Sequence, residues 1–286
     1  MQHRFPRVLS TALVACVPVL GLMAAFGPVA HASTTHASQK AEALAIARNA
    51  LKHLDVGWRP TNHVVTAHSV GIKGTTKTTS SNWSGYADVS ETFSSVGGTW
   101  TEPSTTCTST ESLAAFWVGI DGYSSSSVEQ DGTLVECYES HAYQYSWWEM
   151  YPTNDIQVVG ESVAAGDHIT GTVVRTGTSY KLTVTDSTHT ANSFSTTQTC
   201  SSCANSSAEW IAEAPCCSGS NPYPLPDFHT WSLSGATVKT TSGSGVISTY
   251  PNNEITMTGS SGDTKAAPSA LNSSGNGFSV TWEHAT

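Results

Sequence analysis

Positive charge is what this 286-residue chain has least of beyond its first quarter. Residues 80–286 hold four Lys/Arg (Arg175, Lys181, Lys239, Lys265) against twenty acids, a net of −16. A surface so acidic repels nucleic acid, whose binding needs Lys and Arg on its phosphates, so nucleic-acid partners are excluded. Long apolar runs are also missing. Past the N-terminus no stretch stays apolar for the ~18 residues that a membrane-spanning helix requires, and no membrane anchor is expected. From Ser81 onward no stretch carries the 3.6-residue apolar period of a helix. There is no internal repeat, and no Gly-x-Ser-x-Gly elbow after an apolar strand to present a nucleophilic serine.

The first quarter has the opposite character. Arg4 and Arg7, an apolar core from Leu9 to Met23 and the small-residue site Ala30-His31-Ala32 read as an export signal over residues 1–32. Leu44, Ala47, Leu51 and Leu54 then recur at helical spacing between Gln39 and Asp55, and Arg59-Pro60 ends the pattern. Gly71 to Ser81 reads as a linker of Gly, Thr, Lys and Ser. Residues 1–79 carry eight Lys/Arg against two acids, a net of +6. A basic helical segment between an export signal and an acidic body is expected to be a propeptide, spanning residues 33–79. Its attraction to the body falls away when the body's carboxylates protonate. The remaining domain, residues 80–286, is expected to be an extracellular monomer suited to acidic surroundings.

Of seven cysteines, Cys16 belongs to the signal, leaving Cys107, Cys137, Cys200, Cys203, Cys216 and Cys217. An even set in an exported protein reads as disulfides. Cys107 with Cys137 is the expected bridge across one apolar strand and its following loop. The other four, whose partners the sequence leaves open, close loops on both sides of the Glu213 strand. A Cys200-x-x-Cys203/Cys216-Cys217 zinc tetrad is the less favoured alternative, because adjacent cysteines fit a tetrahedral site poorly.

Short apolar or aromatic runs alternate with Gly, Ser, Thr and Asn throughout residues 81–286. Strands are expected near Asn82–Val89, Gly98–Glu102, Ala114–Ile120, Tyr143–Tyr151, Ile169–Val174 and Lys181–Asp186. Further ones are expected near Glu209–Ala212, Thr230–Leu233, Gly245–Tyr250, Glu254–Met257 and Phe278–Trp282. Many short strands with such turns make an all-β sandwich or barrel, and about 200 residues suffice for one core.

Candidate chemistry centres on Ser207-Ala208-Glu209-Trp210-Ile211-Ala212-Glu213-Ala214-Pro215. On a strand Glu209, Ile211 and Glu213 share one face, and a carboxylate on an apolar strand is partly desolvated, which tunes it for acid/base work. After Gly119-Ile120-Asp121-Gly122 a polar loop leads to Val128-Glu129-Gln130-Asp131-Gly132. Gln130 keeps a neutral donor at any pH, which suits a developing oxyanion in acid. Trp147-Trp148-Glu149-Met150-Tyr151-Pro152 is a dense aromatic strand, with Trp147, Glu149 and Tyr151 on one face. Aromatic rows also stack on sugars, so a glycosidase using Glu149 with Glu213, or a carbohydrate-binding sandwich, is an alternative.

Ser81-Asn82-Trp83-Ser84-Gly85, Phe116-Trp117-Val118-Gly119-Ile120-Asp121-Gly122, Glu129-Gln130-Asp131-Gly132, Trp147 to Pro152 and Ala208 to Glu213 resemble, in this order, the glutamic peptidases or eqolisins. The resemblance runs from about Ser81 to the C-terminus. It implies an antiparallel two-sheet, lectin-like or jelly-roll-like β-sandwich, and an acid endopeptidase acting on protein or peptide substrates. Gln130 and Glu213 fall on the family's catalytic positions. Trp83, Trp117, Asp121, Trp147, Glu149 and Tyr151 are expected to line the groove or to hold that pair. No metal or other cofactor is implied. Tyr145 stands where fungal members often have Asp, and Ala-Pro-Cys-Cys follows Glu213, so subsite preferences do not transfer.

Overall fold

Strict alternation in Tyr180–Thr185 produces what the side-chain period of two requires. Ser179–Asp186 is a strand with Tyr180, Leu182 and Val184 buried and Lys181 and Thr185 exposed. The computed structural model of the chain describes residues 69–70, 74–218 and 221–286. The expected export signal and the Gln39–Asp55 helix lie outside the described residues.

The strands form two layers. In the first, the neighbours in order are Asn154–Ser162, His141–Tyr151, Val128–Tyr138, Ser112–Ile120, Ser207–Glu213, Trp83–Val89 and Asn252–Thr258. In the second they are Thr264–Pro268, Phe278–Trp282, Thr230–Thr240, Phe93–Thr101, His168–Thr176, Ser179–Asp186 and Phe194–Thr199. The layers join where Met257 pairs with Ala266. All these pairings are antiparallel.

Even-numbered residues of the Ser112–Ile120 and Ser207–Glu213 strands face the second layer and make the core. Phe116 stacks on Trp231 at 5.5 Å between centroids. Trp210 Nε1 donates to the Gly97 carbonyl at 2.9 Å, and the Thr183 amide donates to Asp131 Oδ2 at 2.7 Å, two polar links across the layers. Truncating one such aromatic to Ala costs about 3–5 kcal/mol. Odd-numbered residues of the same strands face the other way, onto a surface carrying Trp83, Trp117, Trp147 and Ile211.

Several expectations need correcting. Val128–Tyr138, of which the sequence suggested only a polar loop leading in, is an eleven-residue central strand. Its Glu129, Asp131 and Glu136 are buried acids, a class that is almost never fully buried unless paired, so the pattern does not read as a strand. Thr75–Ser80 lies inside the stretch read as linker, yet it is a strand running parallel to Asn252–Thr258. Gly245–Tyr250 contains a short 3₁₀ turn, Ile247–Thr249, in place of a strand. Asn154–Ser162, Phe194–Thr199 and Thr264–Pro268 are strands that the sequence did not announce.

Cys107 is bridged to Cys137, the pairing suggested by the strand between them. Cys200 and Cys203 are bonded to each other, closing a tight turn just before the Ser207–Glu213 strand. That bond consumes two of the four thiolates of the alternative zinc tetrad.

Candidate active site

Strand register arranges the outer face of the first layer in rows. Directly opposed residues of neighbouring antiparallel strands share a face. One row runs Glu149, Gln130, Gly119, Glu209; the next runs Trp147, Gly132, Trp117, Ile211; the third includes Leu134, Ala115, Glu213 and Trp83. Gln130 and Glu213 therefore lie on the same face, two rows apart along a diagonal, and Trp117 occupies the row between them.

The Trp117 indole spans that gap. Its Nε1 donates to Glu213 Oε2 at 2.8 Å. Its other end lies over Gly119, where an added Cβ would sit 3.0 Å from both Trp117 Cζ3 and Gln130 Cβ. Gly132 has a similar reason to be glycine, because a Cβ there would stand 2.8 Å from Trp117 Cα and Cβ. The ring is braced from beside the carboxylate by Trp83, edge-on at 5.0 Å.

Glu213 also accepts from Asn82 Nδ2 at 3.1 Å, and Asn82 Oδ1 accepts from Ser80 Oγ at 3.1 Å. Two N–H donors converge on this carboxyl, an arrangement that suits its ionised form. On the other side of Trp117, Gln130 Nε2 donates to Glu149 Oε2 at 2.6 Å, while Gln130 Oε1 has no hydrogen-bond partner among the described residues. Gln130 and Glu213 are both close to fully buried, at 2 % and 3 % exposure.

Asp121 has a different job from lining a groove. Its carboxylate accepts from Ser127 Oγ and the Asn205 and Ser206 amides, and so ties the turn after Ile120 to the start of the Ser207–Glu213 strand. Tyr151 is half-buried at the end of its strand, opposite Val128, beyond the row of Gln130. Trp147 is buried in the Trp117 row. Asn82 is the site residue that was not singled out, although the Ser81-Asn82-Trp83 motif displayed it.

A second carboxyl shares the face. Glu209 stands in the row of Gln130 with only Gly119 between them. Burial holds its carboxyl well above the usual range, outweighing the Ser207 hydroxyl and the Tyr123 amide that act in the other direction. Glu129, facing the other layer, is likewise pushed up to about 10 by burial and by the neighbouring Asp121 charge. Burial thus favours the neutral form of both carboxyls.

The peptidase A4 family model matches residues 81–282. Among solved structures, scytalido-glutamic peptidase bound to a transition-state-analogue inhibitor superposes with a TM-score of 0.61 at 21% identity, covering 71% of this chain and 98% of that one. SCP-B, an eqolisin solved with the tripeptide Ala-Ile-His, gives a TM-score of 0.59 at 21% identity, with coverage of 71% and 98%. No curated protein sequence matches the chain.

Proposed function

The chain belongs to the peptidase A4 family, the glutamic peptidases, and from that premise we propose that it is an acid-active endopeptidase using Glu213 as its base and Gln130 as its oxyanion donor. The observation that carries the assignment is the Trp117 indole, hydrogen-bonded to Glu213 at one end and packed beside Gln130 at the other. Glu209 is nearer to Gln130 in register, but burial favours its neutral form, which is a poor acceptor for the proton of a water. Glu213, with two N–H groups donated to it, can.

In this reading Glu213 takes a proton from a water, the water oxygen attacks the scissile carbonyl carbon, and the carbonyl electron pair moves onto oxygen. A Gln130 N–H donates to that oxyanion, as a neutral donor whose charge does not change with pH. Collapse of the tetrahedral species breaks the C–N bond as Glu213 returns its proton to the leaving nitrogen. Glu149 accepts the other Gln130 N–H and fixes the amide plane. No covalent enzyme intermediate forms.

The test is digestion of acid-denatured protein at pH ~4, within the range where a carboxylate base titrates, beside a polysaccharide control. Wild type is expected to release peptides and no sugar. Glu213→Gln is expected to release nothing, and Gln130→Ala to lose on the order of 10²–10³ in rate, as loss of one oxyanion donor does elsewhere. Proteolysis by Glu213→Gln at acid pH would refute the assignment, and sugar release would turn it to the glycosidase alternative.

We further propose that residues 1–32 direct export and that, of residues 33–79, the basic part preceding the Thr75–Ser80 strand is a propeptide removed on acidification, since that strand is paired with Asn252–Thr258 in the body. Among the described residues no helix is long and apolar enough to cross a membrane. An N-terminus near Ser33 in the active purified protein would defeat the propeptide.

A further inference from the structure

Stability does not account for the Cys200–Cys203 bond. A disulfide stabilises mainly by restricting the unfolded chain, and one joining residues three apart restricts it little. The turn it closes is also fastened without it. The Cys200 amide donates to the Thr178 carbonyl at 2.9 Å, the Phe93 amide to the Asn205 carbonyl at 2.9 Å and the Tyr180 hydroxyl to Asn205 Oδ1 at 2.7 Å. Asp121 holds the Asn205 and Ser206 amides as well, at 2.6 and 2.7 Å.

The surroundings of the two sulfurs are those of a bond that can react. Glu129, 0 % exposed, brings a carboxyl oxygen within 4.8 Å of both. No amide or hydroxyl of the described residues donates to that carboxyl. Burial and the Asp121 charge favour its protonated form against the pull of Arg175, and Tyr180, the neighbouring phenol, is raised to about 12 and keeps its proton too. Cys203 is half-buried and Cys200 only 8 % exposed, so a nucleophile from solvent meets Cys203 first. The sulfur that must then leave, Cys200, has an acid beside it.

We propose that Cys200–Cys203 is a thiol–disulfide exchange site for low-molecular-weight thiols, with Glu129 as the proton donor to the Cys200 sulfur. A thiolate bonds to Cys203 Sγ as the S–S bond breaks and its electron pair passes to Cys200 Sγ. That sulfur takes the Glu129 proton and becomes a thiol. The proton that the attacking thiol released to water returns to Glu129. A second thiolate attacks the external sulfur of the mixed disulfide, leaving as the small-molecule disulfide, and Cys203 takes up that thiol's proton from water. Two external thiols are oxidised and the bridge is reduced to two thiols.

Exchange is followed with excess glutathione at pH ~6, below the pH at which Glu136 ionises. Samples are quenched in acid, alkylated with N-ethylmaleimide and mapped by peptide mass, with circular dichroism recorded alongside. Cys107–Cys137 is the internal control. It too joins a half-buried cysteine to a buried one, but among the described residues it belongs to no such cluster with a carboxyl. Cys200 and Cys203 should become labelled at least ~10-fold faster than that pair while the spectrum is unchanged, and the first glutathione adduct should sit on Cys203. Glu129→Gln keeps the shape and cannot donate, so reduction should slow at least ~10-fold, and Glu129→Asp should keep part of the rate.

A Glu129 that merely packed against the bridge would give the opposite sign, since its loss would loosen the turn and speed reduction. Equal rates for the two bridges, or labelling of Cys200 and Cys203 only as the circular dichroism is lost, overturns the site. An adduct on Cys200, or a Glu129→Gln protein reduced as fast as wild type or faster, overturns the proton donor. Should Glu129→Gln not fold, the wild-type rate ratio and the position of the adduct decide alone. None of these readouts involves proteolysis, so their failure leaves the peptidase reading untouched.

Discussion

Glu136 gives the sharpest handle on how this fold depends on acid. Its carboxyl is fully buried, neither oxygen has a hydrogen-bond partner among the described residues, and burial together with the Glu111 charge raises it from 4.5 to about 7. The folded state therefore binds this proton more tightly than the unfolded chain does. Stability from the neutral carboxyl is fully present below pH ~4.5 and is lost as pH rises through about 7. At about 1.4 kcal/mol per unit, a rise of some 2.5 units amounts to roughly 3 kcal/mol for this one group.

Other groups pull the same way. Burial raises Glu102 to about 7 and Asp88 to about 9. Against a usual total of about 5–15 kcal/mol, two groups at about 7 are enough to put the native state at risk near neutral pH. Glu136→Gln keeps the shape and removes the titration. Urea unfolding followed by circular dichroism from pH 4 to pH 8 should show wild-type stability falling steeply. The variant should lie close to wild type at pH 4 and about 3 kcal/mol above it at pH 8. Superimposable curves for the two proteins, or a wild type more stable at pH 8 than at pH 4, would refute the reasoning.

Three further outcomes are expected. Gly119→Ala inserts a methyl 3.0 Å from Gln130 Cβ and Trp117 Cζ3, so kcat should drop at least ~10-fold while thermal melts move by a few degrees, the size of a 1–3 kcal/mol overpacking cost. Trp117→Phe removes the N–H that Glu213 accepts but keeps a ring beside Trp83; the loss of one hydrogen bond to a charged group should lower kcat/KM by ~10–100-fold with the circular dichroism spectrum intact. Replacing Cys107 and Cys137 by Ser should cost about 2–4 kcal/mol in urea unfolding, as for a bridge closing a loop of 30 residues, and leave acid activity measurable in what remains folded.

What the sequence made visible follows from which forces act locally. Apolar alternation revealed Ser179–Asp186, and the clustered aromatics revealed His141–Tyr151, because burial of those side chains is the reason the strands exist. Val128–Tyr138, which carries Gln130, was not read as a strand. Its acids look like loop residues and become tolerable only when neighbouring strands bury them in their neutral form. Thr75–Ser80 has no apolar residue at all and is a strand only because Asn252–Thr258 lies beside it.

The same distinction runs through the site. Glu213 was legible as one of two strand carboxylates, yet the choice between it and Glu209 depends on donors brought from elsewhere in the chain, Asn82 from 131 residues away and Trp117 from 96. Spacing along one strand gives both glutamates the same face and so cannot separate them. Their surroundings differ: burial favours the neutral form of Glu209, while the Trp117 and Asn82 N–H groups favour charge on Glu213. In the proposed mechanism this difference in surroundings makes Glu213 the proton acceptor. Asn82→Ala, which takes away one of the two donors, should therefore weaken Glu213 as an ionised base and move the acid limb of the kcat/KM profile to higher pH. An unmoved limb would mean that Asn82 does not hold the charge on Glu213.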